Sequence, residues 1–263
     1  MTRTTLVTVN VHGVGPEAAS APEEELFGRL GLGRYTYRIG LARVLESLRR
    51  SDIKATFFWP VFEAERCRAL LEQCLAEGHE VASNGLAFED HIGLGEREDA
   101  VLEEAHARLS ALCGTAPVGF RAPTGTLSDR TIPILRRLGY RYDSSFIDDD
   151  APYPLDGDGG TGMVELPVSQ GMTDATHFGQ RLTQSRAEAF MIEAWDALLA
   201  TDGYACLTLH PRADLGVGRA ARITMIERLF ERARGLGSDF RLCREMAAAA
   251  GRQFGSGMPS GVA

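Results

Sequence analysis

Residues 6–13 read LVTVNVHG. Leu6, Val7, Val9 and Val11 are apolar and mostly β-branched, so Leu6–Val11 is predicted as a buried strand running into a turn at Gly13. Two unusual polar side chains, Asn10 and His12, stand at its carboxyl end. The same grammar repeats along the chain. KATFFWP is a strand ending at Pro60, and HEVAS, VGFRAP, YRYDSS, GMVELPV, YACLTLHP and DFRLC are further strands. Between them lie helical spacings: Ile39–Arg50, Glu63–Glu77 stopped by Gly78, Glu98–Leu112, a helix capped by Ser128 and ending at Gly139, Ser185–Ala200 with Ser185 as its cap, and Arg222–Gly235.

Strand and helix alternating over 263 residues predict an α/β fold of parallel strands joined by crossover helices. Seven or eight such units fit a closed or nearly closed (β/α) barrel. No linker divides the chain, so a single domain is expected over 1–250, with 251–263 as a flexible tail almost without packing residues. The acidic, Gly- and Pro-rich stretch around 146–163 is expected to be a long surface loop near the site.

Bulk properties remove several classes of function. A net charge of −8 argues against nucleic acid and against an anionic membrane surface. No apolar run approaches the length of a bilayer span, and no charged start is followed by an apolar stretch and a cleavage site, so a cytoplasmic location is expected. Five cysteines are an odd count for a disulfide framework. Cys67 and Cys74 lie a heptad apart beside Leu70, Leu71 and Leu75, as core packing would have them.

The polar residues collect at strand ends. Asn10 and His12 follow the first strand, Ser83 and Asn84 the third, Arg121 the fourth, Asp143 and Ser144 the fifth, and His210 the seventh. In a barrel those ends converge on one face, and Arg, His and Asp arriving there from different strands predict a small-molecule site.

Five segments in order then resemble the motifs of the polysaccharide deacetylase (NodB-homology) family, in its peptidoglycan deacetylase-like and allantoinase-like branch. They are RIGLARVLESLRRSDIKATFFWP, AEGHEVASNGLAFED, GFRAPTGTLS, YRYDSS and LTLHPR. The resemblance implies a distorted (β/α) barrel that hydrolyses acyl-amide bonds with a divalent metal. It also implies a homo-oligomer. In that pattern Asn10 stands in the place of the base aspartate, His12 in that of the metal-binding aspartate, and Asn84 and Phe88 in those of the two metal-binding histidines. An amide accepts no proton at neutral pH and is a poor zinc ligand, and a phenyl ring cannot ligate. Arg121, Pro123, Asp143 and His210–Pro211 match the remaining motifs.

The expectation is therefore a site without metal or other cofactor. His12 would be the base and His210 the acid or oxyanion donor, with Arg121 orienting Asp143 or holding a carboxylate or enolate. Asn10, Asn84, Phe88, Trp59 and Pro123 would line the substrate, with Phe58 beside Trp59. Two other readings remain open. One is a binding or regulatory protein that has lost catalysis. The other is an amide hydrolase whose metal has moved to His12, His91 and a carboxylate from Glu89 or Asp90. His177 lies in a loop that can cover the pocket or sit plainly at the surface, and His79 can serve as a cation at a helix end.

Overall fold

The computed structural model describes residues 3–155 and 162–256. Its sheet follows the order β6-β7-β5-β4-β3-β2-β1-β8. These strands are β1 (Arg3–Asn10), β2 (Thr56–Trp59), β3 (Glu80–Ser83), β4 (Gly119–Phe120), β5 (Tyr142–Asp143), β6 (Tyr153–Pro154), β7 (Val164–Glu165) and β8 (Tyr204–Leu209). All pair in parallel except β6, which lies antiparallel on β7. The stretch read as β1 is the centre of this sheet. It pairs with β8 from Thr4 to Val9, with β2 from Thr8 to Asn10, and with a further strand, β9 (Ser238–Arg241), from Arg3 to Leu6.

The sheet curls into the barrel-like form expected. In a flat sheet of this order β7 and β8 would lie about 29 Å apart, six strand spacings. Instead the Tyr204 hydroxyl on β8 donates to the carbonyl of Pro167, just beyond β7, at 3.0 Å. Leu6, Phe58, Ala82, Tyr142, Val164, Leu166, Tyr204 and Cys206 share one apolar cluster, so these strands turn one face inward together. Among the described residues no ladder joins β7 to β8; a single bridge, Thr173 to Thr208, covers that side of β8.

Strand alternation sets what faces the interior. On β1, Leu6 points in, whereas Val7, Val9 and Val11 pack outward against the helices. Those helices include α2 (Leu41–Arg50), α9 (Gln184–Thr201) and α10 (Ala220–Gly235), whose apolar faces complete the outer cluster. On β2, Phe58 points inward and both Phe57 and Trp59 outward. Among the described residues no helix is long and apolar enough to cross a membrane.

Several boundaries differ from the sequence reading. The helix expected over Glu63–Glu77 is two, α3 (Val61–Arg66) and α4 (Arg68–Ala76), broken where Cys67 takes φ −127° and ψ 48°. Cys67, Leu71 and Cys74 still face the core. The α7 helix (Thr131–Arg137) starts after Arg130, and Ser128 instead accepts the Arg130 N–H at 3.0 Å in the turn before it. Helix α9 begins at Gln184 after an uncapped Thr183, so Ser185 lies inside it. Short helices α1 (Gly15–Ala18), α5 (His91–Leu94) and α8 (Asp174–Gly179) lie within segments that the sequence reading left without structure, and α6 (Glu98–Cys113) matches its expectation.

The largest correction is at the carboxyl end. A tail was expected from 251, but α11 (Cys243–Ser256) runs through Ser256; residues 257–263 lie outside the described part, as do 156–161 of the acidic loop. Cys243, Ala247 and Ala250 of α11 plug the foot of the barrel. The plug is fastened by a buried carboxylate. Glu80 accepts the Thr56 hydroxyl (2.8 Å) and the Arg244 N–H (3.0 Å) on one oxygen and the Tyr142 hydroxyl (2.9 Å) on the other. The anion thus sits at the positive end of α11. Replacing Glu80 by Ala strands these donors in a dry interior, and the expected loss of unfolding free energy is about 3 kcal/mol. Urea unfolding measures it; a loss under about 1 kcal/mol would mean that apolar contacts alone hold α11 in place.

Candidate functional site

The carboxyl ends of β1, β3, β4 and β8 bring five polar side chains together. Arg121 leaves the end of β4, is 4% exposed, and crosses the interior. Its Nε donates to the Ser144 carbonyl (2.7 Å) and its Nη2 to the Ser144 hydroxyl (2.7 Å), with Cys206 Sγ at 3.8 Å. Its Nη1 donates to Thr8 Oγ1 and Asn10 Oδ1, both at 3.0 Å, and more loosely to Thr208 Oγ1 at 3.5 Å. The guanidinium lies 4.1 Å from the centre of the Phe58 ring.

That arrangement assigns every neighbouring proton. A guanidinium only donates, so the oxygen of Asn10 faces it and Asn10 Nδ2 faces His210 Nε2 at 3.2 Å. His210 Nε2 must then accept, which puts the imidazole proton on Nδ1. Nδ1 donates to Asp174 Oδ1 at 2.7 Å. Asp174 is fully buried, and its other oxygen accepts the backbone N–H groups of His210 (2.8 Å) and Val217 (3.0 Å). The same logic fixes His12. A carbonyl only accepts, so Asn84 Nδ2 donates to the Arg121 carbonyl (2.7 Å) and Asn84 Oδ1 accepts from His12 Nε2 (2.8 Å). His12 Nδ1 is left as a lone pair. The two imidazole rings lie 5.4 Å apart, and Phe88 meets His12 edge-on at 5.1 Å.

The loop carrying His12 is held from below. Glu63, fully buried at the start of α3, accepts the N–H groups of Gly13 (2.9 Å) and Gly15 (2.8 Å) and the hydroxyl of Tyr37, which in turn accepts the Val14 N–H at 2.9 Å. Tyr37 lies in a π-helical turn, Thr36–Gly40. A Cβ on Gly13 would overlap the Tyr37 ring, so this turn requires glycine. Across the site Gly85, at φ +77°, lets the loop after β3 fold against Glu89 and the buried Pro123. Glu89 accepts the Leu86 and Ala87 N–H groups and holds that loop.

Of the residues expected in the site, His12, His210, Arg121, Asn10, Asn84 and Phe88 meet, and Pro123 backs the β3 loop. Two do not join them. Trp59 points outward into the core cluster, because strand alternation gives the inward position to Phe58. Asp143 also faces outward: Ser144, its neighbour, takes the inward position beside Arg121. Asp143 accepts the Ser145 N–H (3.0 Å) and hydroxyl (2.9 Å) and lies opposite Glu165 on β7. Burial pushes both carboxyls up, Glu165 further because of Asp143 beside it. Arg121 therefore orients Asn10 and not Asp143, and with its donors occupied it holds no substrate carboxylate directly.

The relocated metal set is not assembled. His91 is fully buried against Phe120 and donates from Nδ1 to Glu98 Oε1 at 3.1 Å, while Asp90 caps α5 by accepting the Ile92 N–H. Among the described residues no group of three or more His, Cys, Asp or Glu side chains could hold a metal. His177 bonds the Gly171 carbonyl at 2.9 Å and stacks on Phe190, outside the site. His79 is not a cation at a helix end. Burial lowers its pKa, and Nδ1 accepts the Ala55 N–H at 3.1 Å.

Asp174 was missed. It lies in TDATHF, a segment without a motif around it, and the Thr173–Thr208 bridge is what brings it beside His210.

Known proteins agree with this architecture. The model of the polysaccharide deacetylase family matches residues 37–142. Over those residues the chain is similar to a polysaccharide deacetylase domain. The peptidoglycan deacetylase of Helicobacter pylori is 27% identical over 147 residues, which are 55% of this chain and 50% of that protein. The chain thus spans about half the length of this relative. A Mycobacterium smegmatis protein described as a polysaccharide deacetylase superposes with a TM-score of 0.88 at 26% identity, covering 100% of this chain and 95% of that one. The PuuE allantoinase superposes with a TM-score of 0.81 at 24% identity, over 98% and 92% of the two chains, a likeness of fold.

In the assembled site His12 departs from ordinary behaviour. Its pKa falls from 6.5 to about 3, first through burial and then through His210, against a smaller opposing effect of the Asn84 bond. It is neutral at physiological pH and cannot retain an abstracted proton, which weakens the expectation that it is the base. The consequence for stability has a definite sign. Below pH 6.5 the unfolded chain protonates this histidine while the folded site refuses the proton, so stability present above pH 6.5 drains as pH falls toward 3, by about 1.4 kcal/mol per pH unit. Urea unfolding at pH 7, 6 and 5 is expected to show this slope in the wild type and to lose that part of it in His12→Gln. Parallel slopes in the two proteins would contradict a depressed His12.

Proposed function

We propose that this chain is an enzyme of the deacetylase fold whose acid–base group is His210, supported by Asp174, and whose substrate is a small carbonyl- or amide-bearing metabolite. The observation that carries the reading is the chain of bonds Arg121–Asn10–His210–Asp174. It presents an imidazole with a fixed tautomer, a lone pair on Nε2 directed toward the site, and a carboxylate placed to stabilise the imidazolium once a proton is taken.

The divalent metal that the family implies does not fit the residues at hand. Of the three positions that the resemblance gives to ligands, His12 offers one lone pair. Asn84 has its oxygen and nitrogen spent on His12 and the Arg121 carbonyl, and Phe88 offers carbon only. A catalytic zinc takes about three protein ligands. The chemistry that suits the remaining groups is proton transfer beside a carbonyl: isomerisation, elimination, cyclisation, or hydrolysis of an activated acyl group. His210 takes the proton on Nε2 and returns it. Asn10, released from His210 as the substrate arrives, and the His12 lone pair hold the substrate's polar atoms, while the Phe88 ring closes the apolar side. A cytoplasmic location and a homo-oligomer accompany this proposal.

One observation favours a second reading, a binding protein without turnover. The pKa of about 3 at His12 takes that imidazole out of proton transfer near neutral pH, where paired acid and base would be expected.

Turnover of a panel of small cyclic amides, imides and activated acyl compounds separates the readings. The enzyme reading expects activity that survives chelator, and a fall of about 10²–10⁴ in kcat for His210→Ala. It also expects a smaller fall for Asp174→Asn, with a shifted pH profile. Tightly held metal near one per chain, with activity lost to chelator, would overturn the metal-independent part. Saturable binding without turnover of any compound would favour the second reading.

A further inference from the structure

The Arg121 guanidinium is buried, and each of its donors ends on a neutral acceptor: the Ser144 carbonyl and hydroxyl, Thr8, Thr208, Asn10 and the Cys206 sulfur. A charge removed from water is ordinarily paired with its opposite. The carboxyls around it are committed elsewhere. Asp143 and Glu165 lie on the other face of their strands and bond Ser145 and the Phe146 N–H. Asp174 is taken by His210 and Val217, and Glu63 by the Gly13–Gly15 turn and Tyr37. Arg212, the other cation near the site, is already neutralised by Glu17 (2.5 Å) and Asp214 (2.9 Å).

Position 10 is where compensation would be cheapest. Asn10 Oδ1 lies 3.0 Å from Nη1, and an aspartate of the same shape would complete an ion pair there. Asparagine keeps the shape and withholds the charge. Its residue is half-buried at the mouth of the site, and Nδ2 carries two hydrogens, of which His210 takes one. The charged neighbours that act on His12 are His210, Arg212 and Arg121, all cations or potential cations.

We propose that the ligand brings the missing negative charge: the site takes a small carboxylate that also bears a hydroxyl or N–H donor, and Asn10 selects it over the neutral amide. The carboxylate sits on Asn10 Nδ2 within the field of Arg121, and the donor meets the His12 Nδ1 lone pair. This inference takes from the acid–base reading only the location of the site.

Lactate and lactamide are suitable probes, because they share shape and hydroxyl and differ in charge. Calorimetric titration of the wild type is expected to show lactate binding about tenfold tighter than lactamide. In N10D, which supplies the anion internally, lactate affinity is expected to drop by about the same factor while lactamide affinity holds. Equal affinities in the wild type, no lactate binding, or an N10D protein that still prefers lactate would each overturn the proposal. Should N10D fail to fold, the wild-type pair of titrations decides. A lactate preference in a protein without turnover would remove the enzyme reading and leave this inference standing. Turnover of neutral compounds without anion preference would do the reverse.

Discussion

One buried guanidinium ties this site together. Arg121 reaches from β4 to the Ser144 backbone and side chain after β5, to Thr8 and Asn10 on β1, and to Thr208 on β8. Those strands meet only because the sheet curls, so the bonds both require the barrel form and hold it. The same side chain dictates chemistry at a distance. By accepting nothing it orients the Asn10 amide, the amide fixes the His210 tautomer, and His210 thereby directs its proton to Asp174. A parallel relay runs from the Arg121 carbonyl through Asn84 to His12. Two histidines are thus set in defined protonation states by Arg121 acting through two asparagines.

Two relays with different endings explain why the histidines are not interchangeable. His210 ends on a carboxylate that can stabilise a positive ring. His12 ends on a neutral amide oxygen, in a dry position crowded by cations, and stays neutral. A site built around a buried cation has a positive interior, and beside it stand two ordered lone pairs, on His210 Nε2 and on His12 Nδ1.

Much of the fold was legible because burial leaves a periodic trace. LVTVNVHG, TFFW and YACLTL are buried along nearly their whole length, as strands under helices must be, and the polar residues toward their ends mark where the candidate site assembles. What stayed hidden depends on which face a residue takes or on contacts between distant segments. Trp59 and Asp143 stand at the correct strand ends, yet alternation over two- to four-residue strands gives the inward places to Phe58 and Ser144. Asp174 has no motif of its own and reaches His210 only through the Thr173–Thr208 bridge. Glu63 reads as one helical acid among many until the Gly13–Gly15 turn is seen closing over it. The last helix hid behind small and polar residues, since its anchor, Glu80, is more than 160 positions away at |i−j| = 164.

The central claim is the protonation pattern imposed by Arg121 through the two asparagines. Nitrogen-15 NMR of the imidazoles in the folded protein at neutral pH tests it most directly. The account predicts that His210 carries its proton on Nδ1 with Nε2 as an accepting nitrogen, and that His12 carries its proton on Nε2 with Nδ1 bare. A His210 protonated on Nε2 alone, or a His12 protonated on Nδ1, would contradict it.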